Sequence, residues 1–158
     1  MLGFPRVINE KAARTVAAAV ALTGVVALAA GAHWLLVPLA YGFWARVLAG
    51  PRFSPLAQLA SKQIAPRLGP PRDVAGPPKR FAQGMGAAIT TLGVLAFALG
   101  WGTVTTVLLA ALIVAATLEA ALGLCIGCRI FAVLLRAGIV PETVCVECAD
   151  ISRRLQRV

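Results

Sequence analysis

The sequence predicts an all-α integral membrane protein: four transmembrane helices in two helical hairpins, an interfacial cytoplasmic loop and a cytoplasmic C-terminal amphipathic helix. Three observations carry this expectation. Apolar residues make up 59% of the 158 and charged residues only 13%, about half the charged share of a soluble domain, so a soluble chain of this size could not hide its apolar surface. The apolar residues gather into four runs, 12–31, 34–49, 81–100 and 103–124, close to the ~20 residues that cross a bilayer core. The two short turns between runs one and two and runs three and four contain none of the 15 Lys and Arg residues. By the positive-inside rule, both termini, the loop 50–80 and the tail 125–158 then lie in the cytoplasm, and residues 1–158 form one membrane domain.

Run one is interrupted only by Arg14 near its start. A basic start and the small residues Ala30-Gly31-Ala32 also fit a cleaved signal peptide; we read a retained span. Run two has Trp34 at one end and Tyr41, Phe43 and Trp44 towards the other, as an aromatic belt would place them. Pro38 is expected to kink this helix or mark a packing site, and Arg46 to snorkel to the head groups. His33, in an uncharged turn without a nearby His, Cys, Asp or Glu, reads as an interfacial side chain.

In the loop 50–80, Ser54-Pro55 is a good N-cap and first helical position. Leu56, Leu59, Ala60, Ile64 and Leu68 follow at near-helical spacing, which suits a short interfacial helix that Pro66 ends early. Gly69-Pro70-Pro71 and Gly76-Pro77-Pro78 read as a stiff extended strap, with a proline-rich docking segment as the alternative. Run three is entered after Lys79-Arg80 and offers Gly84, Gly86 and Gly93 for close helix contact. The helical pattern of run four extends through Arg129 to Arg136, and Pro141 opens a last amphipathic segment, 142–157. The net charge of +9 is thus an orientation signal that also attracts anionic lipid. Without basic and aromatic residues interleaved, it does not describe a nucleic-acid surface.

Chemistry concentrates near the end of run four. All four cysteines fall in two Cys-x-x-Cys pairs within 24 residues: Cys125 with Cys128, and Cys145 with Cys148. In a reducing cytoplasm a permanent disulfide framework is not expected. The spacing C-x2-C-x16-C-x2-C fits a four-cysteine zinc site, although the surroundings look helical and apolar. The pairs also fit dithiols that exchange disulfides or carry sulfur, because residues three apart share a helix face. Arg129 would favour a thiolate at Cys128, apolar neighbours would oppose one at Cys125, and Glu147 sits beside the second pair, so no nucleophile stands out. Inert small side chains are the remaining reading. Glu119, the one acidic residue inside a span, is costly there unless neutral or paired. Arg46 is its expected partner by depth, and a hydrogen bond to a helix bearing Thr90 or Thr91 is the bland alternative.

The chain resembles a bacterial membrane family, common in actinobacteria, catalogued as domain of unknown function 4395. The resemblance rests on Phe4-Pro5 with Asn9-Glu10, Tyr41-Gly42-Phe43 with Arg46, and Gly50-Pro51-Arg52-Phe53-Ser54-Pro55. It continues in residues 77–84, in Leu118-Glu119-Ala120, in Cys125-Ile126-Gly127-Cys128 and in the closing Cys145-x-x-Cys148. Its members are often encoded beside thioredoxin-like proteins and rhodanese-type sulfurtransferases, which implies thiol or sulfur work with such a soluble partner at the inner membrane. The expected site is therefore Cys125, Cys128, Cys145 and Cys148, with Glu119 assisting proton movement. The alternative is a structural or accessory subunit of a larger membrane complex with zinc on the four thiolates. A transporter for a small sulfur species would require oligomerisation.

Overall fold

The computed structural model describes residues 6–141 and 144. Cys145, Cys148 and the expected last helix lie outside the described residues. The described chain is all-α apart from one small strand pair: β1 (Val7–Asn9), α1 (Glu10–Ala29), α2 (Leu36–Ala49), α3 (Pro55–Leu59), β2 (Asp73–Ala75), α4 (Gly76–Ala98), α5 (Gly102–Leu122) and α6 (Ile126–Arg136).

Local chemistry sets these boundaries. Asn9 caps α1 by accepting from Lys11 N–H at 3.0 Å, and Ser54 caps α3 by accepting from Ala57 N–H. After α3 the chain continues through a wide π turn, Ala60–Ile64, and a tight 3-10 turn, Ala65–Leu68. The change of pitch falls where Pro66 has no N–H to donate. Gly76-Pro77-Pro78 forms no strap: it is the first turn of α4, where prolines lose no helical hydrogen bond and their φ is already helical. The third helix thus starts five residues before run three, with Lys79 inside it. α5 does not run on through Arg129. Gly123 takes a left-handed conformation (φ 68°), which ends α5 and lets the chain restart as α6.

α1, α4 and α5 are each long and apolar enough to cross a membrane. In α5 the most apolar 18-residue window is only 22% buried inside the protein. Its outer side chains, Val107 and Val114 among them, are exposed, the pattern of a surface solvated by lipid. α2 has 14 residues, preceded by the 3-10 turn His33–Leu35. Pro38 lies in its first turn and does not break it.

The packing order departs from two simple hairpins. α1 packs on α5, α5 on α4, α4 on α2 and α6 on α4, while α1 and α2 barely touch. The segment from α3 to Leu68 packs against α1. Its Ala57 and Ala60 join Val16, Val20, Leu39, Phe43, Ala87, Leu112 and Ala116 in one apolar cluster, so the segment expected as an interfacial helix is part of the core. β1 and β2 pair antiparallel, with Ile8 opposite Val74, and tie the start of α1 to the start of α4. Glu10 N–H donates to Arg72 C=O (2.8 Å) and Gly76 N–H to Arg6 C=O (2.7 Å) at the two ends of that pair. Arg14 donates to the carbonyls of Ala120 and Ala121 (3.0 and 2.8 Å), satisfying the C-terminal end of α5. The basic segments of the described chain are thereby gathered at one end of the bundle.

Candidate functional site

The site lies at this basic end. Glu119, in the last turn of α5, is paired with Lys79 of the first turn of α4. Both side chains are largely buried, at 14% and 9% exposure. The expected partner, Arg46, does not hold the carboxylate. Nor does it snorkel: at 6% exposure its Nε donates to Gln83 Oε1 (2.7 Å), its Nη1 donates to Ser54 Oγ (3.3 Å), and its guanidinium lies over the Phe43 ring at 4.6 Å. The reason is the α3 segment, which covers the C-terminal end of α2 and offers Ser54 to the guanidinium. Thr90 and Thr91 do not bind Glu119 either; their hydroxyls donate to the Gly86 and Ala87 carbonyls of their own helix. His33 stands at the far end against Phe97, ring centroids 5.9 Å apart.

Cys125 and Cys128 straddle the start of α6. Cys125 is its N-cap, and its Sγ accepts from Cys128 N–H at 3.4 Å. Both thiols are free, Cys125 buried and Cys128 half-buried. Close packing fixes this turn. A Cβ on Gly127 would come within 2.6 Å of Ala82 Cα in α4, so only glycine lets α6 lie this low. Phe131 of α6 then meets Phe81 of α4 with ring centroids 5.6 Å apart. The Cys128 thiol, hydrogen-bonded to Cys125 Sγ, holds the Cys125 thiol below the ordinary cysteine range; Lys79 and Cys128 N–H add to this, while burial and Glu119 oppose it. The same hydrogen bond, followed by burial and the neighbouring Cys125 charge, pushes the Cys128 thiol up. A thiolate on a helix N-terminus beside a lysine is the arrangement that activates cysteine.

Two spaces meet at Cys125. A surface groove is lined by Cys125, Cys128, Lys79, Arg129 and Glu10. On the other side an interhelical cavity of about 240 Å³ is lined at its inner end by Arg46, Gln83, Glu119 and Cys125. The structure thus brings together Cys125, Cys128 and Glu119 of the sequence-predicted site, and the other two cysteines lie outside the described residues. Three contributors were missed: Lys79, Gln83 and Ser54. The signal for Lys79 was Pro77-Pro78, which opens a helix as readily as it stiffens a loop.

A family model described as Domain of unknown function (DUF4395) matches residues 8–136. The chain belongs to that family. No curated protein and no solved structure matches it. The residues matched to DUF4395 run from β1 to the end of α6 and include Arg46, Lys79, Gln83, Glu119, Cys125 and Cys128. The cluster just described therefore lies wholly within the part of the chain that defines this family.

Proposed function

We propose that the protein crosses the inner membrane four times, with both termini cytoplasmic, and exchanges disulfide or sulfur with a soluble partner through Cys125 and Cys128. The position of Cys125 Sγ as N-cap of α6, accepting from Cys128 N–H beside Lys79, carries this reading. Four spans follow if the 14 residues of α2 and the three of its leading turn together rise about 27 Å, near the ~30 Å hydrocarbon core. The uncharged turns at 30–35 and 99–102 support the orientation.

For a disulfide, the Cys125 thiolate attacks one partner sulfur and displaces the other as a thiolate, which takes up a proton. Cys128 then loses its proton and attacks Cys125 Sγ, releasing the second partner thiol. The partner gains two electrons and two protons, and the pair becomes a disulfide that the Cys145–Cys148 pair can accept in turn. For a persulfide, Cys125 takes the outer sulfur and the partner leaves as a thiolate, with no net redox change. A thioredoxin-like or rhodanese-type protein suits either step, and Glu119, near both thiols, suits the proton traffic.

The test uses the full chain and glutathione disulfide. Cys128→Ser should accumulate a mixed disulfide on Cys125 by mass spectrometry, and Cys125→Ser should not react at α6. Unaltered exchange in both variants overturns the reading. About one zinc per chain, freed only when thiols are blocked, would replace it with a structural four-thiolate site, because metal binding energy is then folding energy.

A further inference from the structure

The cavity that reaches Cys125 has a chemistry of its own. Its walls come from α1, α2, α4 and α5 and are mostly apolar, with Val20, Ile89, Leu112 and Ala115 among them. At about 240 Å³ it exceeds the roughly 150 Å³ of an engineered apolar cavity that takes up benzene. Its polar side chains sit together at the inner end: Arg46, Gln83, Glu119 and Cys125.

With Cys125 as the thiol, positive charge is in excess there. Arg46 and Lys79 are both buried, and Glu119 is the one carboxylate that acts on both. Lys79 holds that carboxylate directly, whereas Arg46 makes no ion pair among the described residues. Its hydrogen bonds to Gln83 and Ser54 use two of the five guanidinium N–H donors. A buried cation with neutral hydrogen-bond partners and an aromatic face but no carboxylate of its own is costly. A cavity beside it that is apolar along its length, with the Arg46 guanidinium at one end and the neighbouring Glu119 carboxylate already held by Lys79, matches an amphiphilic anion.

We propose that this cavity binds a small organic anion, with its charged head on Arg46 and Gln83 and its apolar body between Ile89 and Leu112. The inference goes beyond thiol exchange and does not depend on it, because it rests on volume, lining and charge alone. The shared chemistry is a single anionic head on a compact hydrocarbon body. Such a molecule can come from the bilayer, as a free fatty acid, or from the cytosol, as a short organic acid.

The probes are octanoate, octanol and acetate, added to the full chain in nanodiscs of zwitterionic lipid and read as the thermal unfolding midpoint, which a native-state ligand raises. Octanoate should raise the midpoint more than octanol, which lacks the charge, or acetate, which lacks the body. In Arg46→Gln the octanoate concentration giving half the shift should rise about tenfold or more, while the octanol response stays. Ala115→Leu, which fills the cavity and leaves the charges alone, should weaken both responses and keeps the test open should Arg46→Gln fail to fold. Palmitate acting as strongly as octanoate assigns the anion to the bilayer, and preference for octanoate assigns it to a soluble acid; both support the site. Octanoate no better than octanol on the natural chain, or an octanoate advantage that survives Ala115→Leu, overturns it. Thiol exchange is scored separately on the cysteine variants, so either idea can fail alone.

Discussion

Lys79 and Glu119 join the first turn of α4 to the last turn of α5 through a largely buried ion pair. The two helices are already connected at their other ends by the turn at Gly100. The pair therefore closes the α4–α5 hairpin at the end where α6 begins. Removing one partner leaves the other charge buried, so Glu119→Gln or Lys79→Met should each cost about 3–5 kcal/mol. The double variant Lys79→Met with Glu119→Leu should recover most of that loss, since neither member of the pair is left stranded and Arg46 keeps its bonds to Gln83 and Ser54. Denaturant unfolding of the three variants in one detergent checks this. A double variant as unstable as the worse single one would show that the pair's worth is not electrostatic.

Why the sequence did not disclose this pair is instructive. Glu119 was visible as a carboxylate in an apolar run, and its need for a cation follows from burial alone. The sequence points to Arg46 as that cation, because Gly76-Pro77-Pro78 reads as strap and leaves Lys79 outside the helix. In sequence, two prolines opening a helix look the same as two prolines in an extended linker. What separates them is the pairing of β1 with β2, a three-residue contact between segments about 66 positions apart that no local pattern announces. The long apolar helices were legible for the opposite reason, since twenty apolar residues in succession have few other solutions. The end of α5 was legible in principle: a glycine after the last apolar residue of a helix is a stop signal, and Gly123 takes that role.

Gly86 was expected to mediate helix contact, and it does so against Phe43. A Cβ at Gly86 would sit 2.2 Å from the Phe43 ring, and Phe43 is buried in the main apolar cluster. Gly86→Ala should therefore destabilise by about 1–3 kcal/mol through overpacking. Phe43→Leu in the same chain should return part of that loss by making room. Thermal melts of the single and double variants measure the coupling. Simple additivity would mean that the two residues are not in contact.

Gly127 presents a harder obstacle, because the atom it faces is backbone. With Ala82 Cα 2.6 Å from an added Cβ, Gly127→Ala can be accommodated only by lifting α6 from α4. That movement would separate Phe131 from Phe81 and carry Cys128 away from Cys125. Alkylation of Cys128 by iodoacetamide should accelerate at fixed pH, since the thiol becomes more exposed and loses the hydrogen bond that keeps it protonated. Unchanged alkylation, with stability also unchanged, would show that α6 does not rest on this contact.

The last expectation concerns pH and the order of reactivity in the pair. Cys125 lies below the ordinary thiol range and Cys128 above it, with their mutual hydrogen bond as the first cause of both shifts. Alkylation reports thiolate, so on raising the pH Cys125 should titrate first, at a midpoint below that of an ordinary cysteine. Cys128 should stay slow after Cys125 has titrated. Cys128→Ala removes the donor that favours the Cys125 thiolate, and burial and Glu119 then oppose it with only Lys79 and the Cys128 position's N–H in support. The Cys125 midpoint should consequently move up in that variant. Working in a Cys145→Ser, Cys148→Ser background keeps the second pair from contributing, and peptide-resolved mass spectrometry assigns each rate to its residue. A Cys125 midpoint that stays where it was in Cys128→Ala would mean that the helix N-terminus and Lys79 set its reactivity without help from its neighbour.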